Sequence, residues 1–217
     1  MTDGAVDPLT AAVPAADLVA ALTRAGQTVA TAESLTAGLL SATIAGVPGA
    51  SAVLRGGLVV YATDLKATLA DVEDAVLAAD GPVAANTAEQ LAVGARGRCT
   101  ADWGIGLTGV AGPDSQDGHP VGTVFLAIAG PDGTEVVRLE LAGTRWEIRI
   151  GAVSAAVSEL IGRVHAGVSR KAREPFGRVR TLNLRRTSPP MRVASRTNDP
   201  NTYQEDRDDA VIARGNR

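Results

Sequence analysis

Between Pro14 and His165 segments of helical period alternate with short apolar runs rich in β-branched residues, and this restricts the chain to an α/β architecture on a mixed sheet. Pro14 opens a segment with Leu18, Val19 and Leu22 at helical spacing, and Gly26 ends it. Gln27 to Ala32 reads as a strand. A short apolar helix follows Gly38 as far as Ala45, before the turn Val47-Pro48-Gly49-Ala50. Residues 52–62 read as a strand around Gly56-Gly57, where a bulge or a close backbone approach is expected. Asp64 is expected to cap a helix carrying Lys66, and Asn86-Thr87-Ala88-Glu89 to start a helix through Arg98. Trp103, Ile105 and Leu107 alternate with small residues in a buried strand. Residues 121–129 and 135–141 form a hairpin across Pro131-Asp132-Gly133-Thr134. From Arg145 a long helix carries Trp146, Ile150, Val153, Val157, Leu160 and Val164 on one stripe, with both tryptophans and Leu160 assigned to the core. The expected fold is an α/β/α sandwich with a mixed sheet over residues 14–165.

The flanks read differently. Residues 1–13 are expected to be a flexible start, and residues 166–217 a basic, disordered tail, because they offer no apolar face to bury. Residues 1–165 carry 9 Lys and Arg against 18 Asp and Glu, whereas 166–217 carry 12 against 6. An acidic core argues against nucleic-acid binding by that part, since neutralising phosphates needs clustered cations; the tail stays open to an acidic partner. Cys99 is the single cysteine and is assigned to the interior, so no intrachain disulfide is expected. His119 and His165 lie far apart without ligand spacing, so neither a metal site nor a cofactor is expected. The start lacks a signal-peptide pattern and no run reaches the ~20 apolar residues of a membrane span, so a soluble, cytoplasmic protein is expected.

Lys66 is the only lysine in the first 165 residues, where every other basic position is arginine. A lysine whose pKa is lowered accepts a proton from a serine hydroxyl, which arginine does not. Ser51, Tyr61 and Lys66, spaced along one strand and the helix after it, therefore form the candidate catalytic set. The competing reading makes Lys66 an ordinary exposed helix residue. Three loops rich in glycine and hydroxyls accompany the set: Thr31 to Gly38, Pro48 to Ser51 and Thr108 to Asp114. Their small residues let backbone N–H groups approach a phosphate or a developing oxyanion.

In order, Thr31-Ala32-Glu33-Ser34, Val47-Pro48-Gly49-Ala50-Ser51, Gly56 to Tyr61 with Lys66, Thr108 to Pro113 with Pro120 to Val124, and Gly143-Thr144-Arg145 resemble the CinA C-terminal domain family, the competence/damage-inducible protein A group. The resemblance covers residues 15–164 and looks like the stand-alone form, without the larger N-terminal domain of full-length members. It implies hydrolysis of the carboxamide of nicotinamide mononucleotide to nicotinate mononucleotide and ammonia, without metal, by a homodimer. On that reading Ser51 attacks the amide, Lys66 is the base, its pKa lowered by desolvation or by cations such as Arg55, and Tyr61 relays or holds the proton. Backbone N–H groups near Ser51 or between Glu33 and Gly38 would hold the oxyanion. Ser34, Thr36, Gly38, Thr108, Gly109 and Arg145 would bind substrate, with Arg145 and its helix dipole sharing one phosphate. Glu33 would orient Ser34 or Lys66. The alternatives are a helix N-cap for Ser34, a surface salt bridge for Arg145, and a regulatory nucleotide-binding module for the whole. The chain departs from the family at Leu35 and Ala37, where cysteine and glycine are commoner, at Ala50, and at Ala84 in place of a serine.

Overall fold

The computed structural model describes residues 8–167 and 179–183. Helix α1 (Pro8–Ala11) and α2 (Ala15–Ala25) precede strand β1 (Val29–Glu33), α3 (Leu39–Ala45), a single 3₁₀ turn at Ala50–Ala52 and β2 (Leu54–Val59). Three helices follow, α4 (Thr63–Ala70), α5 (Asp74–Asp80) and α6 (Ala85–Arg98), then β3 (Trp103–Gly109), β4 (Thr123–Gly130), β5 (Gly133–Glu140), α7 (Arg145–Gly167) and β6 (Val179–Asn183). The sheet order is β2-β1-β3-β4-β5-β6. β2, β1 and β3 run parallel, β4 and β5 form an antiparallel hairpin, and β6 is parallel to β5, so the sheet is mixed as expected.

The alternation within β1 separates two helical layers. Val29 joins one core with Leu18, Leu22, Leu40, Ile44, Ile148 and Leu160 of α2, α3 and α7, while Ala30 and Ala32 face Ala70, Leu91 and Ala95 of α4 and α6. β3 follows the same rule with glycine on its second face. A Cβ on Gly104 or Gly106 would collide with the carbonyl oxygens of Ala92 and Ala88, so these positions let α6 lie close against the strand.

Several local expectations are corrected. The flexible start gives way at Pro8 to α1, with Val13 buried and Leu9 packed on the core. Val179–Asn183 adds a strand inside the expected disordered tail; the rest of that tail beyond Gly167 lies outside the described residues. Asp64 stands in the first turn of α4 without capping it, since the N-cap is Ala62. At α6 the N-cap is Ala84, and the side chains expected to start the helix point back instead: Asn86 donates to Asp80 (2.7 Å) and Thr87 to the Gly81 carbonyl (2.7 Å). The serine absent at position 84 is thus a missing helix cap, worth about 1 kcal/mol. Trp146 is 42% exposed, whereas Ile148, two residues on and so on the opposite side of the helix, is fully buried and sets the phase of the α7 stripe. Cys99 is only half-buried.

Candidate active site

The connection from β1 leads outward through α3 to β2, and the connection from β2 crosses back over β1 to β3 on the opposite face. That reversal opens a crevice at the carboxyl ends of β1 and β3, the usual ligand position in such sheets. A cavity of about 360 Å³ lies there. Its wall takes Ser34 and Leu35 from the end of β1, Tyr61, Thr63 and Lys66 from the segment after β2, residues 108–116 from the loop after β3, Pro82 and Val83 from the α5–α6 connection, and Arg145 from the start of α7.

Lys66 is the chemical centre of this wall. It is 1% exposed, the largest fully buried side chain of the described residues, which removes the reading of an ordinary surface lysine. Its Nζ donates to the carbonyl oxygens of Val60 (2.9 Å) and Tyr61 (3.2 Å). Desolvation pushes its pKa down from 10.5 to about 8, opposed by the Asp64 carboxylate. Arg55 has no part in this: its guanidinium donates to the Cys99 carbonyl (3.1 Å). A neutral amine has two N–H donors and one lone pair. With both donors held by carbonyls, the lone pair is left to accept a proton.

Tyr61 is 55% exposed, and its hydroxyl accepts from Arg145 (2.8 Å), which leaves the phenolic proton available to donate. Arg145 also donates to the Gly112 carbonyl (2.5 Å), so one guanidinium ties β2's exit to the glycine-rich loop. Its partners here are a phenol and a carbonyl, not the carboxylate a surface salt bridge requires. The N-terminus of α7 is closed by a capping box, in which Glu147 accepts from the Thr144 N–H (2.8 Å) and Thr144 from the Glu147 N–H (3.3 Å). The box occupies two of the N–H groups at that helix end, and the Arg145 guanidinium stands beside it on the cavity wall. Thr108 lends its hydroxyl proton to the Pro82 carbonyl (2.6 Å), fixing that side of the wall. At Gly109 a side chain would meet the Thr123 carbonyl and Val124.

Glu33, Thr36, Gly38 and Ser51 do not line the cavity. Glu33 is fully buried and caps α3: its carboxylate accepts from the N–H groups of Leu40 (3.0 Å) and Ser41 (2.9 Å) and from the hydroxyls of Ser41 (2.7 Å) and Thr31 (3.0 Å). It therefore orients neither Ser34 nor Lys66, and it fills the capping role offered to Ser34. Ser34 donates its N–H to Leu107 (2.9 Å), and Ala37 its N–H to Ser34 (3.1 Å), so neither is free for an oxyanion. Ala37 sits at φ 51°, exposed, where the family's glycine would avoid about 1 kcal/mol of left-handed strain. Thr36 is fully buried and Gly38 is the N-cap of α3. Ser51 is exposed in the 3₁₀ turn before β2, at the amino end of the strand whose carboxyl end leads to Tyr61 and Lys66.

Two groups escaped the sequence reading. Arg149 donates to the carbonyls of Leu35 (2.9 Å) and Thr36 (2.7 Å) and so clamps the loop after β1; its position one helical turn after Arg145 was the available signal. Ser115 and Gln116 extend the wall beyond the expected loop end at Asp114, closed by a bridge between Gln116 and His119.

The sequence model of the CinA C-terminal domain matches residues 12–164. A CinA-like protein of Frankia casuarinae is 46% identical over 147 residues, 68% of this chain and 34% of that protein. A putative competence-damage inducible protein of Streptococcus pneumoniae is 46% identical over 140 residues, 64% of this chain and 34% of that protein. The chain thus spans about a third of the length of these relatives. Among solved structures, the competence/damage inducible protein CihA from Agrobacterium tumefaciens superposes with TM-score 0.67 at 33% identity, covering 71% of this chain and 94% of that one. A CinA superfamily protein from Klebsiella pneumoniae superposes with TM-score 0.69 at 26% identity, covering 73% and 99%. No helix among the described residues is long and apolar enough to cross a membrane.

Proposed function

The chain belongs to the CinA C-terminal domain family, and from that premise we propose that it hydrolyses the carboxamide of nicotinamide mononucleotide to nicotinate mononucleotide and ammonia, with Ser34, which shares the cavity wall with Lys66, as nucleophile in place of the expected Ser51, and Lys66 as base. The observation that carries the proposal is the buried Lys66 amine, held by two carbonyls with its pKa lowered to about 8, in a wall it shares with an arginine and a glycine-rich loop. Such an amine serves as a general base near neutral pH.

The steps follow from the donors present. Lys66 takes the serine proton as the hydroxyl oxygen bonds to the amide carbon, whose electrophilicity the pyridinium charge raises. The carbon–nitrogen bond then breaks, and the proton on Lys66 passes to the departing ammonia. Water adds to the resulting ester, gives a proton to Lys66, and releases the carboxylate as that proton returns to serine. The Tyr61 hydroxyl, oriented by Arg145, stabilises charge on the reacting oxygens.

The test is the pH dependence of ammonia release. Because the neutral amine is the active form, kcat/KM should rise about tenfold per pH unit at low pH and level off above about 8. A flat profile from pH 6 to 9 would remove Lys66 as the base. Arg145→Ala should raise KM by roughly 10- to 100-fold through loss of a charge-assisted phosphate contact, and steady-state kinetics on the variant measures it. Arg145→Lys should recover only part of this, since a single ammonium does not bridge Tyr61, Gly112 and an anion together.

A further inference from the structure

The turn that carries Ser34 leaves two backbone donors unused. Ser34 gives its own N–H to the Leu107 carbonyl, and the Ala37 N–H closes the turn on the Ser34 carbonyl (3.1 Å). Between them, the N–H groups of Leu35 and Thr36 have no hydrogen-bond partner among the described residues, although the two residues are only 4% and 0% exposed. The Thr36 hydroxyl oxygen is buried without a partner as well. Buried N–H groups without an acceptor are rare in a folded interior, and each calls for an explanation. Leu35 stands on the cavity wall beside Ser34; Thr36 does not, but its N–H belongs to the peptide unit it shares with Leu35.

Arg149 holds the same turn by its carbonyls. The half-buried guanidinium donates Nε–H to Leu35 (2.9 Å) and a terminal N–H to Thr36 (2.7 Å), and the Thr36 carbonyl also takes the Leu39 N–H (3.1 Å), which ties the clamp to the start of α3. In a trans peptide the C=O and N–H point opposite ways. With the Leu35 carbonyl turned to the guanidinium, the Thr36 N–H is turned away from it; with the Ser34 carbonyl turned into the turn, the Leu35 N–H is turned out. Among the described residues no carboxylate pairs with Arg149, and Arg145 lies one helical turn before it, a like charge at i, i+4 that costs the helix stability. The charge is therefore left to act on the turn. We propose that Arg149 is a positioning residue for the amide hydrolysis: through the carbonyls of Leu35 and Thr36 it fixes the two N–H groups that bind the amide oxygen as it becomes negative. The inference rests on the reading of Ser34 as the nucleophile, whose attack brings that oxygen to the turn. The N–H that follows an attacking serine in sequence is a recurrent oxyanion donor, and a guanidinium on the neighbouring carbonyl polarises the peptide and strengthens it. Arg149 does not line the cavity, so it acts through the turn and not on the substrate.

Steady-state kinetics on the full chain test this. Arg149→Met keeps an unbranched stem and loses both bonds to the turn. Its kcat should fall about 10²-fold, the usual cost of a misplaced oxyanion donor, with KM within about threefold of wild type, because the charge those donors meet exists only in the transition state. Arg149→Lys keeps the charge without the planar fork and covers the case in which the methionine variant does not fold; its kcat should fall about tenfold, again with KM held. The thioamide of nicotinamide mononucleotide supplies a readout that a merely structural role would not move. Sulfur is the weaker acceptor, so wild type should prefer the amide, and the Arg149 variants should lose most of that preference. With an active wild type, a kcat within about threefold of normal in every Arg149 variant that folds, a loss carried by KM, or an unchanged ratio of amide to thioamide rates overturns the role of Arg149 and leaves the amidohydrolase reading standing. Ser34→Ala with normal turnover moves the attack away from the turn and overturns the inference. A wild type that releases no ammonia defeats the amidohydrolase reading, and this inference with it.

Discussion

Replacing Lys66 by methionine is expected to lower kcat/KM for amide hydrolysis by about 10²–10⁴-fold while leaving the fold in place, with KM changed little. Methionine matches the length of the buried stem, but its thioether is not basic enough to take the serine proton. The carbonyls of Val60 and Tyr61 lose their donor, and only Tyr61 stands on the cavity wall, where water replaces it. Stability should move the other way. Lys66 has a lower pKa folded than unfolded, so between about 8 and 10.5 the unfolded chain binds more protons, and this residue makes stability rise with pH across that window. Below it, the buried ammonium opposes folding. Lys66→Met should therefore be at least as stable as wild type at pH 7 and lack that rise, as urea unfolding at several pH values would show. Near-normal turnover in the variant would exclude Lys66 from proton transfer.

Replacing Glu33 by alanine is expected to destabilise the protein by about 4 kcal/mol, the largest stability effect in the site region. Four donors converge on this fully buried carboxylate: the first-turn N–H groups of Leu40 and Ser41 and the hydroxyls of Ser41 and Thr31. Removing it leaves the two N–H groups without a partner, at about 1–3 kcal/mol for each unsatisfied group, while the Thr31 and Ser41 hydroxyls keep the bond between them (2.6 Å). Water entering the vacated space recovers part of the sum. For a core of this size the loss lowers Tm by roughly 10 °C. Glu33→Gln should fall between, because it keeps one acceptor oxygen and turns the other into a donor facing donors. A shift below about 1 kcal/mol in the alanine variant would mean that α3 keeps its cap without the carboxylate.

Much of this arrangement was legible in the residues themselves. The alternation of periods gave the sandwich, Pro131 to Thr134 gave the hairpin, and the isolated lysine among arginines pointed to the residue that the fold buries at its crevice. What escaped depended on contacts far apart in sequence. Glu33 looked like a site residue because it adjoins Ser34, but the helix it caps returns seven and eight residues later. Trp146 looked like core because it is large and apolar, yet the stripe's phase is set by Ile148 against the sheet. α5 buries no residue and so wrote no apolar stripe into the sequence. The separation of Ser51 from Lys66, by contrast, was already implied: Tyr61 comes ten positions after Ser51, and a strand runs between them. A straight strand keeps its ends apart.

The most direct measurement is the stoichiometry of products from nicotinamide mononucleotide incubated with the purified full chain in the presence of a chelator. Equal amounts of ammonia and nicotinate mononucleotide, formed by wild type and abolished by Lys66→Met, are the predicted result. Saturable binding of the nucleotide, read as a rise in Tm, with no ammonia released at any pH from 6 to 10, would contradict the account and make the crevice a nucleotide-binding site without turnover.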